Sequence, residues 1–155
     1  MDWSKVLLIA AGFVLAGCGG PGERRLTTAN DTMLVVVDAI VANGQQATAT
    51  VYYEFAKPQS LSEEPGDKLV ARAHYERVFD CSNNRWRATK THLEFVGGGS
   101  FSAASPDGAW QSPAVDTVGG KVVRSVCDPA FAKETGTSRP LVSIVKDYRK
   151  KVGAD

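Results

Sequence analysis

The chain contains three cysteines, and the setting of the first decides what the other two can do. Cys18 closes the run Leu15-Ala16-Gly17-Cys18: a branched apolar residue, two small residues and a thiol. Before it lies Val6-Leu7-Leu8-Ile9-Ala10-Ala11-Gly12-Phe13-Val14, preceded by Lys5. An apolar run of this length behind a positive charge is a secretory signal, and it falls short of the roughly 20 apolar residues that span a bilayer. The small residues admit the chain to a signal peptidase, and the thiol accepts a diacylglycerol. Residues 1–17 therefore read as a lipoprotein signal, and Cys18 as the acylated first residue of the mature chain. Each buried CH₂ contributes about 0.8 kcal/mol, so two or three acyl chains anchor where one does not. Glycine rather than aspartate follows the cysteine, which favours the outer membrane, with the domain facing the periplasm or the cell surface.

Export leaves Cys81 and Cys127 as an even pair in an oxidising compartment, where one disulfide is the expectation. A metal pair or a redox pair would be the rival, and neither cysteine lies in a C-x-x-C. Closing a loop of this length stabilises a fold by roughly 4 kcal/mol on the chain-entropy model.

The length of 155 residues suits one domain after the signal is removed. A formal net charge of +1 gives no electrostatic case for nucleic acid. Four segments follow: the signal at 1–17, a glycine- and proline-containing tether at 18–31, a β-rich domain at 32–131, and a C-terminal linker with an amphipathic helix at 132–155. The domain opens on Met33-Leu34-Val35-Val36-Val37, and Asn43-Gly44 reads as a tight turn. Residues 47–55 alternate, with Ala47, Ala49, Val51, Tyr53 and Phe55 on one face. Residues 57–67 read as a polar loop. Residues 69–81 alternate again, with Leu69, Ala71, Ala73, Tyr75 and Phe79 on the apolar side, and 85–96 is the return strand. Gly97-Gly98-Gly99 ends that strand, 100–105 reads as one more short strand, and Pro106-Asp107-Gly108 is a turn. Residues 117–126 fit a helix capped by Asp116 or Thr117, although Gly119 and Gly120 weaken it and the valines would suit a strand. Leu141, Ile144, Val145, Tyr148 and Val152 form one helical stripe. Ser138 is its expected cap, Pro140 fits its first turn, and Arg149-Lys150-Lys151 complement its C-terminal dipole.

If Ser82-Asn83-Asn84 close a hairpin, Cys81 stands opposite Arg85. Glu76 then faces Lys90, His74 faces His92 and Arg72 faces Glu94, while Ala73 meets Leu93 and Ala71 meets Phe95 on the other side. Both charged pairs are opposite in sign, worth roughly 0.2–1 kcal/mol each. His74 and His92, flanked by Glu76 and Glu94, form the one constellation that resembles a metal site. A solvated polar face accounts for the same residues, so no metal or cofactor is assigned.

No G-x-S-x-G, H-E-x-x-H, P-loop or G-x-G-x-x-G occurs. Asp107, beside Pro106, and Asp116, three residues after Pro113, read as turn formers, and Trp86 and Trp110 read as core or sheet-covering residues. No catalytic residue is assigned, and the expectation is a protein that is not an enzyme.

One stretch goes further. Tyr75, Asp80-Cys81-Ser82-Asn83-Asn84-Arg85-Trp86-Arg87, Gly97-Gly98, Trp110, Pro113 and Val123-Arg124-Ser125-Val126-Cys127 resemble the pattern of the surface-adhesin protein E family of Gram-negative lipoproteins. Phe95 stands where the family usually has tyrosine. The resemblance covers about 30–128. It implies an α+β fold: a small antiparallel sheet of about five to six strands packed on a short helix, Cys81 bridged to Cys127, and 117–126 helical. Relatives bind host matrix and plasma proteins, and some inhibit lysozyme. The reading is a non-catalytic, adhesin-like lipoprotein held to the membrane by its lipid, with a host or envelope protein as partner and homodimerisation left open. The alternative is a periplasm-facing inhibitor or envelope assembly factor.

Overall fold

The computed structural model describes residues 23–61 and 68–154. Ten elements follow in order: β1 (Arg24–Ala29), β2 (Met33–Asn43), β3 (Gln46–Gln59), β4 (Val70–Asp80), β5 (Arg85–Phe95), β6 (Ser100–Ala104), α1 (Val118–Cys127), α2 (Pro129–Thr135), β7 (Gly136–Thr137) and α3 (Leu141–Val152). The strands form one antiparallel sheet in the order β6-β5-β4-β3-β2-β1-β7. Among the described residues seven strands stand where five to six were expected, and three helices where two were.

β2 shows why the sheet carries helices on both sides. Leu34, Val35, Val36 and Val37 are all buried, and a continuous apolar run is what a strand covered on both faces requires. On one face, here the front, Val35 and Val37 pack with Ala47, Ala49, Val51 and Phe79 under Val122 and Val123 of α1. The front core continues through Phe55, Val70, Ala73, Leu93 and Phe95. On the back, Leu34 and Val36 pack under Ile144 and Tyr148 of α3.

α1 is helical in spite of its glycines. Thr117 caps it, its Oγ1 accepting from Gly120 N at 3.1 Å. Gly120 is required by close approach: a Cβ there would lie 2.1 Å from Ala114 O. The helix therefore gives up about 1 kcal/mol of intrinsic propensity to lie against the segment that leads into it. Cys127, at its end, is bridged to Cys81 at the end of the β4 region, with Cα atoms 5.2 Å apart.

The β4–β5 pairing has the expected register in its middle and a different one at its turn. Arg72↔Glu94, Ala73↔Leu93, His74↔His92 and Glu76↔Lys90 stand opposite each other. Nearer the turn, Asp80 rather than Cys81 faces Arg85, so four residues close the hairpin. The mismatch is absorbed at Thr89, bulged out between Ala88 and Lys90, whose Oγ1 donates to Glu76 O at 3.1 Å. A second irregularity at the far end sets Val70, not Ala71, opposite Phe95. Val70 is buried and Leu69 is exposed, contrary to the simple alternation.

Other boundaries move too. The segment 24–29, read as tether, is β1: Leu26 joins the α3 side of the core and Thr27 Oγ1 meets Ser125 of α1 at 3.4 Å. Asn43 pairs with Gln46, so Gly44 and Gln45 form the turn, with Gly44 at φ +62°. β3 runs through Lys57 and Pro58, both read as loop. The segment 132–140, read as linker, contains the end of α2 and β7, which pairs with β1. α3 starts at Leu141 with Pro140 at its cap position and no side-chain cap from Ser138. Residues 1–22, with the signal, the Cys18 acylation site and the glycine-rich part of the tether, lie outside the described residues, as do 62–67 of the loop.

Candidate functional site: the back face of the sheet

The back face is built from the even-numbered residues of β3 and β4 and their partners, because successive side chains of a strand point to opposite faces. Three rows cross the sheet. Val36, Tyr52, His74, His92 and Ser102 stand side by side from β2 to β6. Leu34, Glu54, Arg72, Glu94 and Ser100 form the next row, and Asp38, Thr50, Glu76, Lys90 and Ala104 the one beyond. α3 covers the β2 end of these rows and leaves the β4–β5 end free.

Where α3 stops covering, a groove of about 450 Å³ opens between helix and sheet. Its apolar wall is Leu34, Val36, Leu141, Val142 and Val145; its polar rim is Glu54, Arg72, Glu94, Lys146 and Arg149. Glu54 is only 4% exposed. It tolerates burial because two guanidiniums reach it, Arg149 Nη1 at 2.6 Å and Arg72 Nε at 3.2 Å. Arg72 also meets Glu94 at 3.4 Å, so the row alternates in sign. Arg149 donates its second Nη to Ala154 O at 2.5 Å, tying the end of α3 to the residue that follows its C-cap.

Tyr52 and His74 also line the groove, and the aromatic row to which they belong is continuous. The Tyr52 and His74 rings lie 5.3 Å apart, tilted, and the His74 and His92 rings 4.6 Å apart, stacked. His92 Nδ1 hydrogen-bonds Ser102 Oγ at 2.6 Å. Burial lowers the pKa of His74, and the neighbouring His92 lowers it further. Burial raises the pKa of Tyr52, with Asp38 adding to the effect. Glu76 pairs with Lys90 at 3.3 Å. Among the described residues no group of three or more His, Cys, Asp or Glu side chains gathers as a metal cluster.

A second exposed feature lies at the hairpin end. Trp110, read as a core or sheet-covering residue, is 36% exposed. Its ring lies 4.6 Å from the Arg85 guanidinium and 5.4 Å from that of Arg87. Trp86 instead packs over Arg77, 3.7 Å from ring to guanidinium, and Tyr75 and Tyr53 complete the enclosure. Arg77 is buried, and its Nη1 donates to Tyr53 Oη at 3.0 Å.

Of the residues singled out from sequence, Cys81 and Cys127 are joined, and His74 and His92 are brought together. Arg149 was read as a dipole complement and is also the partner of Glu54. Glu54 and Tyr52 fall on the other face of the alternating segment 47–55 and were not singled out. Their one signal was a carboxylate and a tyrosine on a face with no other reason to be apolar.

No protein-family model matches the chain, and no curated protein matches it. Among solved structures the chain is similar to Haemophilus influenzae protein E. In its crystal form II the identity is 19%, over 70% of this chain and 89% of that one, with a TM-score of 0.45. Against protein E from non-typeable Haemophilus influenzae the identity is 17%, over 86% and 90% of the two chains, with a TM-score of 0.42. These structures carry the name to which the strand-end motif around Asp80-Cys81 pointed.

Proposed function

We propose that the chain is an outer-membrane lipoprotein, acylated at Cys18, whose β domain binds a macromolecular partner without catalysing a reaction. The lipobox supports the anchor. Among the described residues no helix is long and apolar enough to cross a membrane, and a lipid is the attachment the sequence offers. The observation that carries the binding reading is the groove beside α3. Its wall is apolar, its rim is charged, and Val142 stands 74% exposed at its lip. An apolar centre within a polar rim, with arginine and tyrosine at hand, is the anatomy of a protein-recognition surface.

Two measurements test this reading. Protease treatment of intact cells should release the domain; complete protection would remove the surface-adhesin reading. The purified protein should bind immobilised matrix or plasma proteins, and Val142→Glu should weaken that binding at least tenfold without changing the melting temperature. Binding indifferent to Val142→Glu would remove the groove from the site.

A further inference from the structure

We propose that His74 and His92 form a two-imidazole site for a late first-row divalent cation such as Zn²⁺, Ni²⁺ or Cu²⁺. The inference does not rest on the partner-binding proposal, although His74 also lines the groove. It starts from the register. The two residues stand directly opposite on β4 and β5, which puts their side chains on one face with Cβ atoms about 4.5–5.5 Å apart. Their rings lie 4.6 Å apart at an interplanar angle of 24°. A zinc ion takes imidazole nitrogens at roughly 2.0–2.1 Å, so one ion is shared when the two rings turn about χ2 out of the stack and their nitrogens converge.

One ring is tied by a hydrogen bond, and the other has an aromatic neighbour. Ser102 Oγ fixes His92 through Nδ1 at 2.6 Å, which leaves Nε2 as the nitrogen free to ligate. Ligating histidines commonly have their second ring nitrogen engaged in this way, which sets the tautomer and the ring orientation. His74 is backed by Tyr52, 5.3 Å away on β3. Both imidazoles are half-buried, and the neutral imidazole is the form that ligates. Neutral imidazole suits zinc, copper and nickel, whereas magnesium and calcium want oxygen ligands. Glu94 and Glu76 lie on the same face, but Arg72 and Lys90 already hold them. Protein supplies two ligands and water the remainder.

These are the only two histidines in the chain, so imidazole resonances report on nothing else. The experiment is a Zn²⁺ titration of the protein at pH 7.5, followed by the ¹H–¹³C signals of the two rings. Both sets should move together and saturate at one ion per chain, and Mg²⁺ at the same concentration should move neither. In His74→Gln the His92 signal should stay put over the same range, and in His92→Gln the His74 signal should do so. Ser102→Ala should weaken binding by about tenfold. Unchanged amide spectra establish that the variants are folded. A wild-type titration without saturation overturns the proposal, and so does a histidine that responds equally well without its neighbour.

Discussion

The carboxylate of Glu54, on β3, accepts from Arg149 at 2.6 Å across 95 residues of sequence. It is the polar counterpart of the apolar contact that seats α3, in which Ile144 and Tyr148 meet Leu34 and Val36. Removing one partner of a buried pair costs more than the pair is worth, because a charge is left without its counter-ion. Arg149 is about one-third exposed and Arg72 still reaches Glu54, so water and the second arginine offset part of the loss. Arg149→Met should therefore cost about 1–2 kcal/mol in urea denaturation. Replacing Glu54 and Arg149 together by methionine should cost less than the two single losses added. Strict additivity would show that the two residues act independently.

Gly120→Ala should destabilise the protein by about 1–3 kcal/mol, the cost of forcing extra volume into a packed site. At an exposed helical position the same change would stabilise, since alanine is the better helix former. The opposite sign is expected because the added Cβ would lie 2.1 Å from the Ala114 carbonyl oxygen. A melting temperature unchanged or raised in Gly120→Ala would mean that the 114–115 segment yields freely.

Cys81→Ser and Cys127→Ser should each lower stability by roughly 4 kcal/mol under oxidising conditions, for a bridge spanning 46 residues. The double substitution should be no worse than either single one, since each removes the same link. In reducing buffer the three variants and the parent should converge. Additive losses would contradict the bridge.

Acidification should weaken the fold in the range just below the ordinary histidine pKa. His74 is held below 6.5 chiefly by burial and next by His92, with Lys90 acting in the same direction and Glu94 and Glu76 opposing. As pH falls through about 6.5 the unfolded chain takes up this proton first, so it binds more protons than the native state and stability drops. The loss is complete once pH passes below the native value. His74→Gln should flatten the stability profile between pH 7 and 5, measured by the denaturant midpoint. Asp80 acts at lower pH: Asn83 and then Arg85 lower its pKa, so its stabilisation is present above the ordinary carboxylate value and lost below its own. The midpoint of Asp80→Asn should accordingly change less than the parent's between pH 5 and 3.

Much of the central sheet could be read from residues alone. The opposite-sign pairs Glu76–Lys90 and Arg72–Glu94 select a register, and the structure has it. The bulge at Thr89 could not be read, because a one-residue excess in the turn and a one-residue excess in the strand cancel in the alternation. β1 was missed because Arg24 and Arg25 look like solvated linker. Arg25 is in fact buried, with Glu23 at 2.5 Å, and Arg24 meets Asp38 at 2.9 Å. The groove was invisible for another reason. It exists only where α3 crosses the back face, and the angle of that crossing is set by packing between segments far apart in the chain.

β1 lies between β2 and β7, and this has a consequence for the order of events as the chain is made or threaded N-terminus first. β2 to β6 are joined by neighbouring hairpins and can zip as they appear. β1 finds β2 early, yet its outer edge stays bare until Gly136 and Thr137 arrive. Until then an unpaired strand edge is on offer to other chains, the usual seed of aggregation. The late elements α1, β7 and α3 thus act as closing parts, and a chain halted before about residue 136 is the form that most needs a chaperone.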